Sequence, residues 1–95
     1  MPTIVKRPQA EADLDELWWY IAQDNPDAAD RMLDRIEESC TTLSQFPLMG
    51  VSREDLLPSL RSHTVGNYVI FYLSITDGID IVRVLPWMRD LDALF

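Results

Sequence analysis

Ninety-five residues, 47% apolar and 25% charged, fit one soluble globular domain, with a single modest core in which each buried side chain counts. Sixteen Asp and Glu against eight Lys and Arg leave a formal charge of −8. That balance excludes sequence-independent coating of DNA or RNA, which draws its energy from cations neutralising phosphates. No apolar run reaches bilayer-spanning length, and the N-terminus lacks the basic-then-apolar pattern of a secretory signal. With one cysteine, Cys40, no internal disulfide forms, and a reducing, cytoplasmic setting without membrane association is expected.

Thr3 to Arg7 (TIVKR) is short, β-branched and ended by Pro8, which predicts a strand at or near a sheet edge. From Gln9 to Gln23 the residues Ala10, Leu14, Leu17, Trp18 and Ile21 recur at helical spacing and form one apolar stripe. Asp24-Asn25-Pro26 breaks that helix. Asn25 is a good N-cap and Pro26 a good first helical residue, and Asp27 and Asp30 suit the dipole of a second helix. That helix is predicted from Pro26 to Gln45, with Ala29, Met32, Leu33, Ile36, Cys40 and Leu43 as its stripe and a charged opposite face. The short connection makes the two helices an antiparallel hairpin.

Pro47, Gly50 and Pro58 punctuate a loop, within which Ser52 to Leu56 reads as one helical turn capped by Ser52. Strands follow at Leu60–Val65, Tyr68–Ile75 and Ile79–Leu85, joined by turn signals at Gly66-Asn67 and Thr76-Asp77-Gly78. Tyr68, Ile70 and Tyr72 share one face of the middle strand; Val69, Phe71, Leu73 and Ile75 share the other. Two apolar faces imply a central strand, or one face under the helices and the other under a partner. After Pro86 the tail WMRDLDALF is expected to form a short helix. The expected fold is therefore α+β: an N-terminal strand, a helical hairpin packed on a three-stranded antiparallel meander (β-α-α-β-β-β), and a short C-terminal helix.

Three constellations carry functional expectations. Trp18-Trp19-Tyr20 cannot share one buried face, because successive helical residues are rotated by roughly 100°. Trp18 falls on the core stripe, and Trp19 and Tyr20 flank it as binding candidates. Arg61, His63 and Arg83, on strands taken as neighbours, are the residues by which a phosphate would be held and a proton moved. The simpler alternative is a surface or structural role for each. For Trp87, Arg89-Asp90 and Phe95 the simple reading is that Trp87 packs back on the sheet end and Arg89-Asp90 is a surface ion pair or helix cap; the functional reading is an apolar terminal segment ordered by a partner. No metal cluster, phosphate loop or nucleophile triad is present in the sequence, so no metal or other cofactor is expected.

The order and spacing of several short pieces resemble the ParE/RelE superfamily of bacterial toxins across nearly the whole chain. These are Ala10-x-x-Asp13-Leu14, Tyr20-Ile21-Ala22, Asn25-Pro26, Phe46-Pro47 with Gly50, Leu60-Arg61-Ser62, Val65 to Tyr72, Ile81 to Leu85, and Arg89-Asp90-Leu91. The chain is similar to the ParE branch. The resemblance implies two possible activities. RelE-like members cut messenger RNA on the ribosome with basic and acid–base side chains, for which Arg61, His63 and Arg83 are the candidates. ParE-like members poison DNA gyrase by trapping its cleaved-DNA complex. The position after the last strand, often His in the superfamily, is Pro86 here, and proline cannot act as a general acid. Together with the scarcity of lysine, this favours the ParE-like activity, which needs no catalytic residue. The resemblance also implies plasmid stabilisation, growth inhibition, and a cognate ParD-like antitoxin whose disordered C-terminal segment folds onto the toxin. Trp18, Trp19, Tyr20, Tyr68 and Tyr72 are expected to receive the antitoxin. Arg83, Trp87 and Arg89 are expected to face the target, without sequence-specific nucleic-acid binding. A degenerate member that binds only its antitoxin is a third possibility.

Overall fold

The computed structural model describes residues 2–87 and 90–95. Strand β1 (Thr3–Lys6) leads through Arg7 directly into helix α1 (Pro8–Ala22). Pro8 therefore does more than end the strand: it opens the helix, where its missing N–H is harmless. Helix α2 (Pro26–Gln45) is capped by Asn25, whose Oδ1 accepts from the Ala28 N–H at 3.2 Å. Strands β2 (Val51–Ser52), β3 (Arg61–Val65), β4 (Tyr68–Ile75) and β5 (Gly78–Pro86) follow, and the tail makes a single 3-10 turn at Asp92–Leu94 in place of the expected helix.

The five strands form one sheet in the order β1-β5-β4-β3-β2. The meander β3-β4-β5 is antiparallel, β4 is central, and β1 returns to lie parallel to β5. Strand β2 is an addition to the sequence expectation. Ser52, expected as a helix cap, instead pairs with Arg61 of β3. The turn that follows is closed by the Arg53 carbonyl, which accepts from Leu56 and Leu57. A two-residue strand leaves no alternation to detect, which is why the sequence hid it.

Two glycines mark different physical needs. Gly66 has φ of 58° in the β3–β4 turn, the left-handed conformation expected there. In the β4–β5 turn the left-handed residue is Asp77, at φ 65°. Gly78 serves the approach of β1, because a Cβ on it would fall on the Thr3 backbone.

Both faces of the sheet are covered by the chain itself. On one side Leu14, Leu17, Ile36, Cys40 and Leu43 of the hairpin pack against Ile70, Tyr72, Ile79, Ile81 and Val84. On the other, Val69, Phe71, Val82 and Leu85 lie under Leu57, Leu60, Leu91, Leu94 and Phe95, with the Phe71 and Phe95 rings edge-to-face at 5.0 Å. Each such large side chain contributes about 1.5–3 kcal/mol by leaving water. Among the described residues no helix is long and apolar enough to cross a membrane.

One irregularity positions the site. Phe71 pairs with Arg83, but Tyr72 pairs with Ile81, so Val82 is an extra residue that bulges β5. Beyond Ile81, β5 also loses β1 as its neighbour. The second half of β5 therefore has an open edge, and α1 lies along it.

Candidate functional site

An open strand edge leaves backbone N–H groups without partners. Here Asp13 of α1 answers that need: its Oδ2 accepts from the Val84 N–H at 3.0 Å. The same carboxylate takes two bonds from Arg83, Nε to Oδ2 at 2.7 Å and Nη2 to Oδ1 at 2.9 Å. Asp13 is 4% and Arg83 15% exposed in the side chain, so this fork is shielded from water. Its hydrogen bonds hold the Arg83 guanidinium further above its ordinary pKa, against the opposing cost of burial. Arg83 is thus engaged inside the fold.

Arg61 is engaged differently. Its Nη1 donates to the Gly50 carbonyl at 2.7 Å and to the Leu48 carbonyl at 3.2 Å. The Tyr72 hydroxyl donates to the Pro47 carbonyl at 2.8 Å and accepts from the Gly50 N–H at 2.9 Å. Burial pushes the Tyr72 phenol above its usual pKa. Gly50 must be glycine, since a Cβ there would fall on the Tyr72 hydroxyl. These four bonds clamp the loop 46–50 and turn Phe46, Leu48 and Met49 out to solvent.

The expected phosphate site therefore does not assemble. Arg61 and His63 lie on β3, and β4 separates them from Arg83 on β5, so the two arginine strands are not neighbours. His63 is half-buried opposite Ile70. Among the described residues no group of three or more His, Cys, Asp or Glu gathers where a metal ion would be held.

The aromatic triplet fans out over three directions. Trp18 leaves the core stripe expected for it: it is half-buried, and its Nε1 donates to Asp30 of α2 at 2.9 Å. Trp19 stands in solvent, 68% exposed, edge-on to Trp18 at 5.4 Å. Tyr20, 72% exposed, hangs over the open half of β5. There α1 and β5 bound a cleft of about 150 Å³ lined by Asp13, Glu16, Leu17, Tyr20, Tyr68 and Val84 to Pro86. It continues into a wider hollow of about 650 Å³ lined by Tyr20, Ile21, Met32, Asn67, Tyr68, Pro86 and Trp87. Of the residues expected to receive a partner, Tyr20 and Tyr68 meet in this groove, and Trp87 joins them. Trp18 and Trp19 point elsewhere. Tyr72 has no exposed surface, because it supports the 46–50 loop from inside. Arg89 lies outside the described residues.

The fork between Asp13 and Arg83 ties together two of the sequence pieces quoted above, Ala10 to Leu14 and Ile81 to Leu85, across 70 residues. A family model described as the ParE toxin of the type II toxin–antitoxin system parDE matches residues 4–91. This chain belongs to the ParE toxin family. The toxin ParE3 of Caulobacter vibrioides is 30% identical over 94 residues, covering 98% of this chain and 94% of that one. A chain from the chromosomal ParDE toxin–antitoxin system of P. aeruginosa has the same fold, with a TM-score of 0.74 at 24% identity. That match covers 90% of this chain and 96% of the solved one. The fold and family expected from the sequence are thus both borne out.

The motif Ala10-x-x-Asp13-Leu14 by itself assigns Asp13 no role. A signal was available: it sits among Ala10, Leu14 and Leu17 on the apolar stripe, and a carboxylate there demands a buried partner. Leu17, Val84 and Pro86 of the groove were also missed, because nothing local separates a groove wall from a core residue.

Proposed function

We propose that this ParE-family toxin acts by binding, as a poison of DNA gyrase that traps the enzyme on cleaved DNA, and that a cognate antitoxin neutralises it by occupying the groove between α1 and β5. The observation that carries the first part is the engagement of both candidate nuclease arginines in internal bonds. Arg83 is held by a buried carboxylate and Arg61 by two loop carbonyls. The Nε–Nη2 fork of Arg83 is taken by Asp13, Arg61 has given up Nη1, and β4 lies between their two strands, so the pair does not converge on one phosphate. Pro86 at the end of β5 offers no proton. What the surface does offer is aromatic: Trp19, Tyr20 and Trp87 are all more than half exposed, and such side chains dominate protein interfaces.

The antitoxin reading draws support from the groove itself. It is concave, mostly apolar and bordered by an exposed Tyr and Trp, as expected where a disordered segment folds onto a surface.

The test is gyrase with supercoiled plasmid and ATP, scored for linear DNA after protein denaturation. Linear product that accumulates with added toxin and requires gyrase supports the proposal. Absence of linear product with active gyrase, alongside cleavage of messenger RNA on ribosomes, would replace it with the nuclease.

A further inference from the structure

The groove is not electrically uniform. At the α1 end its polar lining is carboxylate, Asp13 and Glu16. Asp13 is neutralised by Arg83, whereas Glu16 is exposed and makes no ion pair among the described residues. At the far end the lining passes through Met32 and Asn67, and there the neighbouring charge is positive. A Cβ placed on Gly66 would stand 3.1 Å from the Met32 methyl and 3.4 Å from an Arg35 Nη1. Arg35 is likewise exposed and outside every ion pair found among the described residues. Between the two ends lie Tyr20, Tyr68 and Pro86, shared by both halves of the groove.

We propose that this groove selects the direction of its occupant by charge. The antitoxin segment it takes carries a basic residue at the Glu16 end, apolar anchors over Tyr20, Tyr68 and Pro86, and an acidic residue at the Arg35 end. The inference rests on the antitoxin reading above and deepens it. Complementary rim charges fix register and speed encounter, while a segment laid in the opposite sense meets like charge at both ends.

The test is surface-captured antitoxin, taken from the gene beside the toxin gene, binding full-length toxin at low and high salt. The variants are Glu16→Arg, Arg35→Glu and Tyr20→Ala. The first two lie at exposed positions, and unchanged circular dichroism checks the fold. Each charge reversal is expected to weaken binding about tenfold at low salt, mainly through the association rate, and less than about threefold once salt screens the rim. Tyr20→Ala is expected to weaken binding at both salt concentrations. If Tyr20→Ala weakens binding but either charge reversal leaves it unchanged or tighter, the polarity is wrong and the groove reading survives. If Tyr20→Ala also binds as the parent does, both fall.

Discussion

Arg83 and Arg61 stand on the two outer strands of the same meander, and each bonds to the fold, Arg83 through Nε and Nη2 and Arg61 through Nη1 alone, but to different acceptors. Arg83 meets a carboxylate that is almost wholly buried and that also closes a strand edge. Arg61 meets two backbone carbonyls of a loop at the rim. The first arrangement joins elements 70 residues apart; the second fixes one loop with the help of Tyr72. In one case a lost partner strands a buried charge, and in the other it frees a segment that water can satisfy. Identical side chains on one sheet therefore differ in how much of the structure depends on them.

The comparison is most easily broken at Asp13. Asp13→Ala leaves the Arg83 guanidinium and the Val84 N–H without acceptors, and we expect a loss of about 3–5 kcal/mol in urea unfolding. A loss below about 1 kcal/mol would show that water reaches the fork, and the contrast with Arg61 would disappear. Tyr72→Phe removes one hydroxyl that serves Pro47 and Gly50. The buried Gly50 N–H then lacks an acceptor, at a cost of about 1–3 kcal/mol. Arg61→Ala is expected to cost about 1 kcal/mol and to expose the 46–50 loop to proteolysis before the rest of the chain unfolds. Cleavage elsewhere first would mean that the loop is held by something other than this clamp.

A last effect appears only in alkali. Burial raises the Cys40 thiol from about 9.0 to about 11. The folded state therefore keeps a proton that the unfolded chain releases, and stability should fall as pH rises from about 9 to about 11. Cys40→Ala should flatten that limb, read as the urea midpoint against pH. An unchanged slope would assign the alkaline loss to other groups, the raised Tyr68 and Tyr72 among them.

Much of the fold was legible because its signals are local and redundant. Asn25-Pro26 fixed the start of α2, and β4 ran from Tyr68 to Ile75 as its alternation and flanking turns require. The site was less legible. Trp18, Trp19 and Tyr20 were read correctly as unable to share a face, but which one meets β5 depends on how α1 sits on the sheet. Tyr72 read as a surface aromatic because its supporting partner, the 46–50 loop, is held by backbone atoms that carry no sequence signature. Arg61 and Arg83 read as a pair only against the expected meander, which already sets its middle strand between theirs; in the structure β4 separates them.

On the function proposed above, these arginines build the toxin and do not act on its target. This is tested most directly by Arg61→Ala at a temperature where circular dichroism shows the fold intact, assayed for gyrase-dependent linear DNA beside the parent chain. Activity within about twofold of the parent, as expected for a residue outside the binding surface, is the predicted result. A loss of about a hundredfold or more in a folded variant, roughly the size of a lost binding hot spot, would contradict it and place Arg61 against the target.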